Sequence, residues 1–458
     1  MLIFMININN KRYHTFAYQS NYYLLDCWNY EIKIIDDKQY VKYVELEQLA
    51  AINDERNIDE FVNRKFEQGN FSFAPYHGCN LRCKYCFAAS GDNFTGSRKD
   101  MSESMLKEIM DFVYFDILKN CKSYRLDFVS GGEPLLNFDI IKHAIKYGEE
   151  LFQRTGKKLT IFLVTNGTIN IQKYWDFLNE SNVYLGVSID GTQKNHDEFR
   201  KDMNQNGTYH TVLNTIDSVI HSSKYSSKFR AIWGLCVITG KTQSLIDMLL
   251  SVKETGIKQM QMKFARLPKD HDLALNADAL DQIKTVYSEF TEFLAHNIEN
   301  HDLSNLNMIL NETDYFGKYI FRLLIKSINP YRCGAGKNKF SFDVQGNIYP
   351  CDSFVGNNDY LIGNVKIGVQ RDVIERFKAA TIDNRPLCKS CWAKYLCGGD
   401  CYHNSYLSNQ NIEHPDEIFC ELTKYFIEMA AYLINKLKET NQLTSLQKVL
   451  SVKSKLSE

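Results

Sequence analysis

Residues 76–92 read YHGCNLRCKYCFAASGD, and what their three cysteines hold decides how the rest of the chain is read. Cys79, Cys83 and Cys86 follow a strand-forming run, FSFAPY (71–76), and are set among Tyr and Phe rather than Gly and Asp. A structural zinc site closes a tetrahedron with four nitrogen or sulfur ligands. This stretch supplies three thiolates, with His77 beside them as a candidate fourth ligand or simply the end of the strand. Three thiolates on one loop suit a four-iron cubane and leave one iron open to an outside ligand.

At 458 residues the chain is long enough for two or three domains of roughly 100 to 200 residues. Its 44% hydrophobic and 24% charged residues are those of a globular protein. Lys plus Arg number 54 and Asp plus Glu 55. That near balance gives no pull towards nucleic acid or an anionic membrane, and neither is an expected partner. The N-terminal residues carry no basic, cleavable signal, and no apolar run reaches about 18 residues, so a cytoplasmic chain is expected. Thirteen cysteines in a reducing compartment are then not disulfides. Cys27, Cys121 and Cys236 stand alone and read as small buried hydrophobes.

Residues 12–36 hold three short aromatic and β-branched runs, a three-stranded meander, followed by predicted helices at 38–50 and 56–67. From 71 onward strands and helices alternate. Strands are predicted at 71–76, 125–130, 158–165, 183–190, 229–238 and 259–265, with helices at 102–119, 138–153, 171–179, 209–222 and 243–254. Six such units imply a parallel sheet, open or curled into a partial barrel, whose ligand site lies in the loops after the strands. CNLRCKYC, SGGEP, TNGT and SIDG fall in the first four of these loops and describe one site for a polar small molecule. Residues 271–329 read as two bridging helices, 330–425 as a cysteine-rich module and 421–440 as an amphipathic helix.

With a strand before it and Tyr85 before its last cysteine, the C-x3-C-x2-C stretch resembles the signature of the radical SAM superfamily. The resemblance implies a partial (β/α)6 barrel in which Cys79, Cys83 and Cys86 bind a 4Fe-4S cluster. The open iron would be chelated by the amino and carboxylate groups of S-adenosylmethionine. Gly131, Gly132 and Glu133 match the family's GGE segment, implied to bind the methionyl amino group. By the same similarity Asn166 and Ser188 would lie near the ribose and carboxylate, and Arg200 of HDEFR would pair with the carboxylate. The implied reaction core is reductive cleavage to a 5′-deoxyadenosyl radical that abstracts a substrate hydrogen, with an electron donor such as flavodoxin or ferredoxin. The protein would position the C–H bond and exclude solvent.

Downstream lie Cys333, Cys351, Cys388, Cys391, Cys397, Cys401 and Cys420. The C-x2-C-x5-C-x3-C spacing alone is equally compatible with zinc. Behind a radical SAM motif, the seven resemble a SPASM domain. That implies two auxiliary 4Fe-4S clusters and three clusters in all, with Cys388, Cys391, Cys397 and Cys420 on one and Cys333, Cys351 and Cys401 on the other. Two closed cubanes need eight ligands. Fully ligated relatives such as sulfatase maturases carry another Cys shortly before the first, whereas KSINPYR (326–332) has none. An iron open to a substrate thiolate, or closed by a non-cysteine ligand, is the expectation.

Residues 1–70 are similar to the winged-helix-like element of peptide maturases, which binds the leader of a precursor peptide as an added strand. Together with HTF (14–16), YYLLDCWNYEIKIIDD (22–37) and GGEPLLNF (131–138), this makes the chain resemble thioether-forming maturases of Cys-rich peptides, whose products are sactipeptides or ranthipeptides. The implied organisation is leader recognition over 1–70, a radical SAM partial barrel over 71–270, bridging helices over 271–329, a SPASM domain over 330–425, and a C-terminal helix and tail over 426–458. The implied function is thioether formation between a Cys sulfur and a carbon of an acceptor residue. Two alternatives stand beside it. Asp352, in GNIYPCDSF, resembles the acid of sulfatase maturases and would serve as catalytic base in oxidising Cys or Ser to formylglycine. The other is a non-catalytic iron-sulfur or zinc protein.

Overall fold

Short aromatic and β-branched runs joined by tight turns make the first sheet. β1 (Tyr13–Tyr18), β2 (Asn21–Asp26) and β3 (Glu31–Ile35) pair antiparallel in that order. Gln19 and Ser20, between β1 and β2, both take positive φ, 47° and 61°, the twist a two-residue hairpin needs. The helix Asp37–Leu49 follows, as the sequence predicts. The structure, a computed structural model, describes residues 12–49, 58–88, 100–129, 131–181, 183–222, 232–448 and 450. Part of the second predicted helix, 56–57, lies outside that set. The rest is a single turn, Asp59–Val62, with no buried residue to hold it longer.

Six parallel strands then run side by side in chain order: β4 (Gln68–Phe73), β5 (Ser123–Phe128), β6 (Lys158–Thr165), β7 (Tyr184–Ser188), β8 (Ile232–Ile238) and β9 (Gln259–Phe264). Helices cover the sheet through apolar stripes. Phe138–Thr155 buries Ile140, Ile141, Ala144, Ile145, Gly148 and Leu151 at helical spacing, and Gly156 at φ 68° ends it. The helix predicted at 102–119 starts where Ser102 caps Met105 N, and after Phe112 it widens into a π turn, Val113–Ile117.

The sheet continues past β4. β10 (Lys339–Phe342) adds in parallel, Lys339 opposite Asn70, and β11 (Asn347–Tyr349), β12 (Gly363–Asn364) and β13 (Gly368–Val369) extend it antiparallel. The order is β13-β12-β11-β10-β4-β5-β6-β7-β8-β9. The cysteine-rich segment therefore shares a backbone ladder with the six parallel strands.

Between the two lie three helices where the sequence suggests two: Ala277–Glu299, Ser304–Ile309 and Gly317–Ile325. The last long helix, Glu417–Glu439, begins earlier than 421 because Asp416 accepts from Ile418 N and Phe419 N. Phe426 on it packs among Tyr287, Phe316 and Tyr319. Its Tyr432 meets Tyr18 and Tyr23 edge-on at 4.8 and 6.1 Å, so the N-terminal sheet rests on C-terminal residues. Among the described residues no helix is long and apolar enough to cross a membrane.

Candidate active site

Four loops at the C-terminal ends of β4 to β7 meet around one cavity of about 340 Å³, within the range of roughly 300 to 1,000 Å³ typical of small-ligand sites. Cys79, Cys83, Cys86, Gly131, Gly132, Glu133, Asn166, Ser188, Arg200 and Asp352 all line it. His77 is buried outside that lining, and burial lowers its pKa to about 4.

The first loop is held by backbone bonds to the 199–201 segment, Arg82 N to Lys201 O at 2.7 Å and Lys84 N to Phe199 O at 2.9 Å. Its Tyr85 is buried, donates to Asp190 and accepts from Arg200 Nη1 at 2.8 Å. Asp190 in turn accepts from Val237 N at 2.9 Å. The Tyr85 hydroxyl thus joins the cysteine loop to the loop after β7. Arg200 is fixed by this network, yet its Nε is buried with no hydrogen-bond partner.

In the second loop Gly131 and Gly132 take φ 110° and 76°. A Cβ on Gly132 would stand 2.3 Å from Tyr76 O and 2.4 Å from Gly78 O, so only glycine lets the two loops touch. Glu133 N closes that contact on Gly78 O at 2.8 Å. The Glu133 carboxylate is buried and accepts from Leu135 N (3.1 Å), Thr165 Oγ1 (2.8 Å) and Asn166 N (2.6 Å). Burial outweighs these bonds and raises its pKa to about 7. Asn166 returns to the first loop, its Nδ2 donating to Asn80 Oδ1 at 2.8 Å and to Cys79 Sγ at 3.6 Å. Thr165 and Tyr85 are the bracing residues that motif reading does not assign.

Two further cysteine groups lie behind. Cys388, Cys391, Cys397 and Cys420 line one cavity of about 400 Å³. Cys333 and Cys351 act on one another electrostatically, and Cys351 and Cys401 both act on Arg266. The loops here have little regular structure, and buried guanidinium groups satisfy their carbonyls. Arg385 Nη1 donates to Asp400 O at 2.8 Å, and Arg322 Nη1 to Leu396 O and Cys397 O at 2.9 and 3.1 Å. Asp352 sits between Lys339 (3.0 Å) and Arg266 (3.1 Å). Burial opposes its charge, but these two cations hold its pKa far below the carboxylate range. Cys27, Cys121 and Cys236 are buried as expected, though Cys236 on β8 also reaches the main cavity.

As the chain stands, no three Cys, His, Asp or Glu side chains among the described residues meet closely enough to hold a metal ion. The donor chemistry nevertheless suits thiolate-bound iron. Burial pushes the thiol of Cys79 up to about 11 and those of Cys351 and Cys388 to about 12, a penalty that cationic iron relieves. The Gly131–Gly132 backbone and the open Arg200 Nε suit a compact zwitterion beside it.

Residues 73–244 match the model of the radical SAM superfamily. The cysteine-type anaerobic sulfatase-maturating enzyme of Clostridium novyi is 25% identical over 401 residues, covering 81% of this chain and 95% of that protein. Among solved structures, native anSMEcpe with bound AdoMet superposes with a TM-score of 0.65 at 20% identity, covering 82% of this chain and 99% of that one. Streptococcus suis SuiB bound to precursor peptide SuiA gives 0.54 at 15% identity, covering 89% and 98%. At these identities the two structures speak for the fold alone.

Proposed function

We propose that this chain, which carries a radical SAM domain, is a peptide-modifying enzyme that forms thioether cross-links in a Cys-rich precursor peptide. The domain implies a 4Fe-4S cluster and S-adenosylmethionine. Cys79, Cys83 and Cys86 would hold the cluster, and when bound the pair supplies a 5′-deoxyadenosyl radical. Two auxiliary clusters, on Cys388, Cys391, Cys397 and Cys420 and on Cys333, Cys351 and Cys401, belong to the same reading. Gly131, Gly132, Glu133, Asn166, Ser188 and Arg200 would hold the S-adenosylmethionine, with Glu133 also bracing the loops.

A peptide substrate is supported by the likeness to a sulfatase-maturating enzyme. The N-terminal sheet adds to it. β1 and β3 are its edges; Glu47 takes the Thr15 N–H on β1 (3.3 Å) and Lys438 Nζ donates to Ile32 O on β3 (3.1 Å), so an added leader strand would pair with the remainder of β3, where Ile34 is exposed.

The observation that carries thioether formation over formylglycine formation is the state of Asp352. A carboxylate clamped by two cations and held far below its ordinary pKa is a poor proton acceptor. The second reading, oxidation of Cys or Ser to formylglycine, has two observations in its favour: the chain is similar to cysteine- and serine-type anaerobic sulfatase-maturating enzymes, and Asp352 lines the same cavity as Cys79, Cys83 and Cys86. Mass spectrometry of a Cys-rich peptide after anaerobic incubation with reconstituted protein, S-adenosylmethionine and reductant separates the two. Loss of two hydrogens per cross-link, with those cysteines no longer alkylated, supports thioether formation. Thiol-to-aldehyde conversion sinks it.

A further inference from the structure

Most charges around the reaction cavity are paired. Arg125 holds Asp127 at 2.7 Å, Arg266 and Lys339 share Asp352, and Arg200 is tied through Tyr85 to Asp190. Arg266 and Lys339 also lie near the thiols of the cysteine-rich module. Lys263 differs. It lines the cavity and is half-buried, and it makes no hydrogen bond or ion pair with any described residue. Burial lowers its pKa to about 8, and the cations Arg266, Lys339 and Arg125 add to that effect against Asp352.

Gln261 precedes it by two positions on β9 and so shares its face. It too lines the cavity, and its side-chain oxygen is buried with no partner. The alternating Met260 and Met262 are buried in the core on the other face. Two neighbouring polar side chains on one face, one cationic and one accepting, therefore face the cavity with no hydrogen-bond or ion-pair partner among the described residues. A half-buried cation with no ion-pair partner calls for an anion from the occupant.

We propose that Lys263 and Gln261 form a subsite for a carboxylate-bearing residue of the peptide substrate. The Lys263 ammonium pairs with the carboxylate, and the Gln261 oxygen accepts that residue's backbone N–H. The carboxylate comes either from an Asp or Glu side chain or from the peptide's own C-terminus. This inference rests on the peptide-substrate reading above.

The test uses the anaerobically reconstituted chain with S-adenosylmethionine and three fluorescent Cys-containing peptides. One is blocked at both ends and contains Asp, one replaces that Asp by Asn, and the third is the Asn peptide with a free C-terminal carboxylate. Anisotropy is expected to show the Asp peptide, the free-acid peptide, or both binding roughly tenfold or more tightly than the blocked Asn peptide. Which of them gains names the source. Lys263→Met removes the preference, and Lys263→Arg, which keeps the charge and guards against a folding defect, retains it. Equal binding of all three to the wild type, including no binding by any, overturns the proposal. So does an unchanged preference in Lys263→Met, or a loss confined to S-adenosylmethionine binding, which assigns Lys263 to the cofactor. Wild-type 5′-deoxyadenosine formation is read in the same mixture. Its absence counts against the enzyme reading; its presence with equal binding counts against this subsite alone.

Discussion

Gly132 has no room for a methyl group, because the carbonyls of Tyr76 and Gly78 occupy the space and its φ of 76° is already costly for any L side chain. Gly132→Ala must therefore push the cysteine loop away from the second loop. A displacement of this size at a reacting centre is expected to lower 5′-deoxyadenosine formation about a hundredfold, measured by chromatography of single-turnover mixtures. Glu133 gives a pH signature. Its folded pKa of about 7 lies above the unfolded carboxylate range, so across that window the folded chain binds the extra proton and stability falls as pH rises. In Glu133→Gln, melting curves of the iron-free protein are expected to lose that slope; an unchanged slope would place the titration elsewhere. The cavity-lining cysteines were legible from their spacing, and the glycines and Arg200 only through the family resemblance that this spacing brings. Lys263 and Gln261 were not, since QMQMKF alternates like any strand with one wet face, and only the fold shows that this face lines the cavity.

β9 ends the run of parallel strands, and an unprotected edge there would invite foreign pairing. The 307–315 segment covers it. Asp314 accepts from Met262 N at 2.7 Å, Asn311 Nδ2 donates to Met260 O at 2.9 Å, and Tyr315 N donates to Met262 O at 3.1 Å. Asp314 also caps the next helix by accepting from Phe316 N and Gly317 N. Asp314→Ala leaves three buried N–H groups without an acceptor. It is expected to cost about 1–3 kcal/mol or more in denaturant unfolding. Loss of stability without loss of peptide modification would show that the cover protects the edge but does not position Lys263. The six parallel strands were legible in the sequence from alternating units of ordinary length. β10 to β13 were hidden, because two to four residues set between turns carry no readable period.

At the scale of the molecule, His14 on β1 is the junction between the first sheet and the cysteine-rich module. It stacks on Trp392, next to Cys391, at 3.6 Å and 7°, and its ring nitrogens meet Glu47 at 2.7 Å and Glu428 at 2.9 Å. Burial opposes the charged ring, but the bonds to Glu428 and Glu47 outweigh it and raise the pKa. The stabilisation is therefore complete below the ordinary imidazole range and is lost as pH rises through the raised value. Limited proteolysis should cut the N-terminal unit faster above that pH, and His14→Gln should cut fast at every pH; equal rates throughout would deny the junction. None of this long-range pairing was legible, because His14 and Glu428 are 414 positions apart.

The parallel ladder between β4 and β10 limits how such proteins can be recombined. Swapping in a different C-terminal segment at residue 330 would strip β4, the strand that leads into the Cys79–Cys86 loop, of its neighbour along Asn70–Phe73. A viable chimera has to exchange β4 and β10 as a matched pair, so the cysteine-rich segment and the strand that leads into the Cys79–Cys86 loop are inherited together.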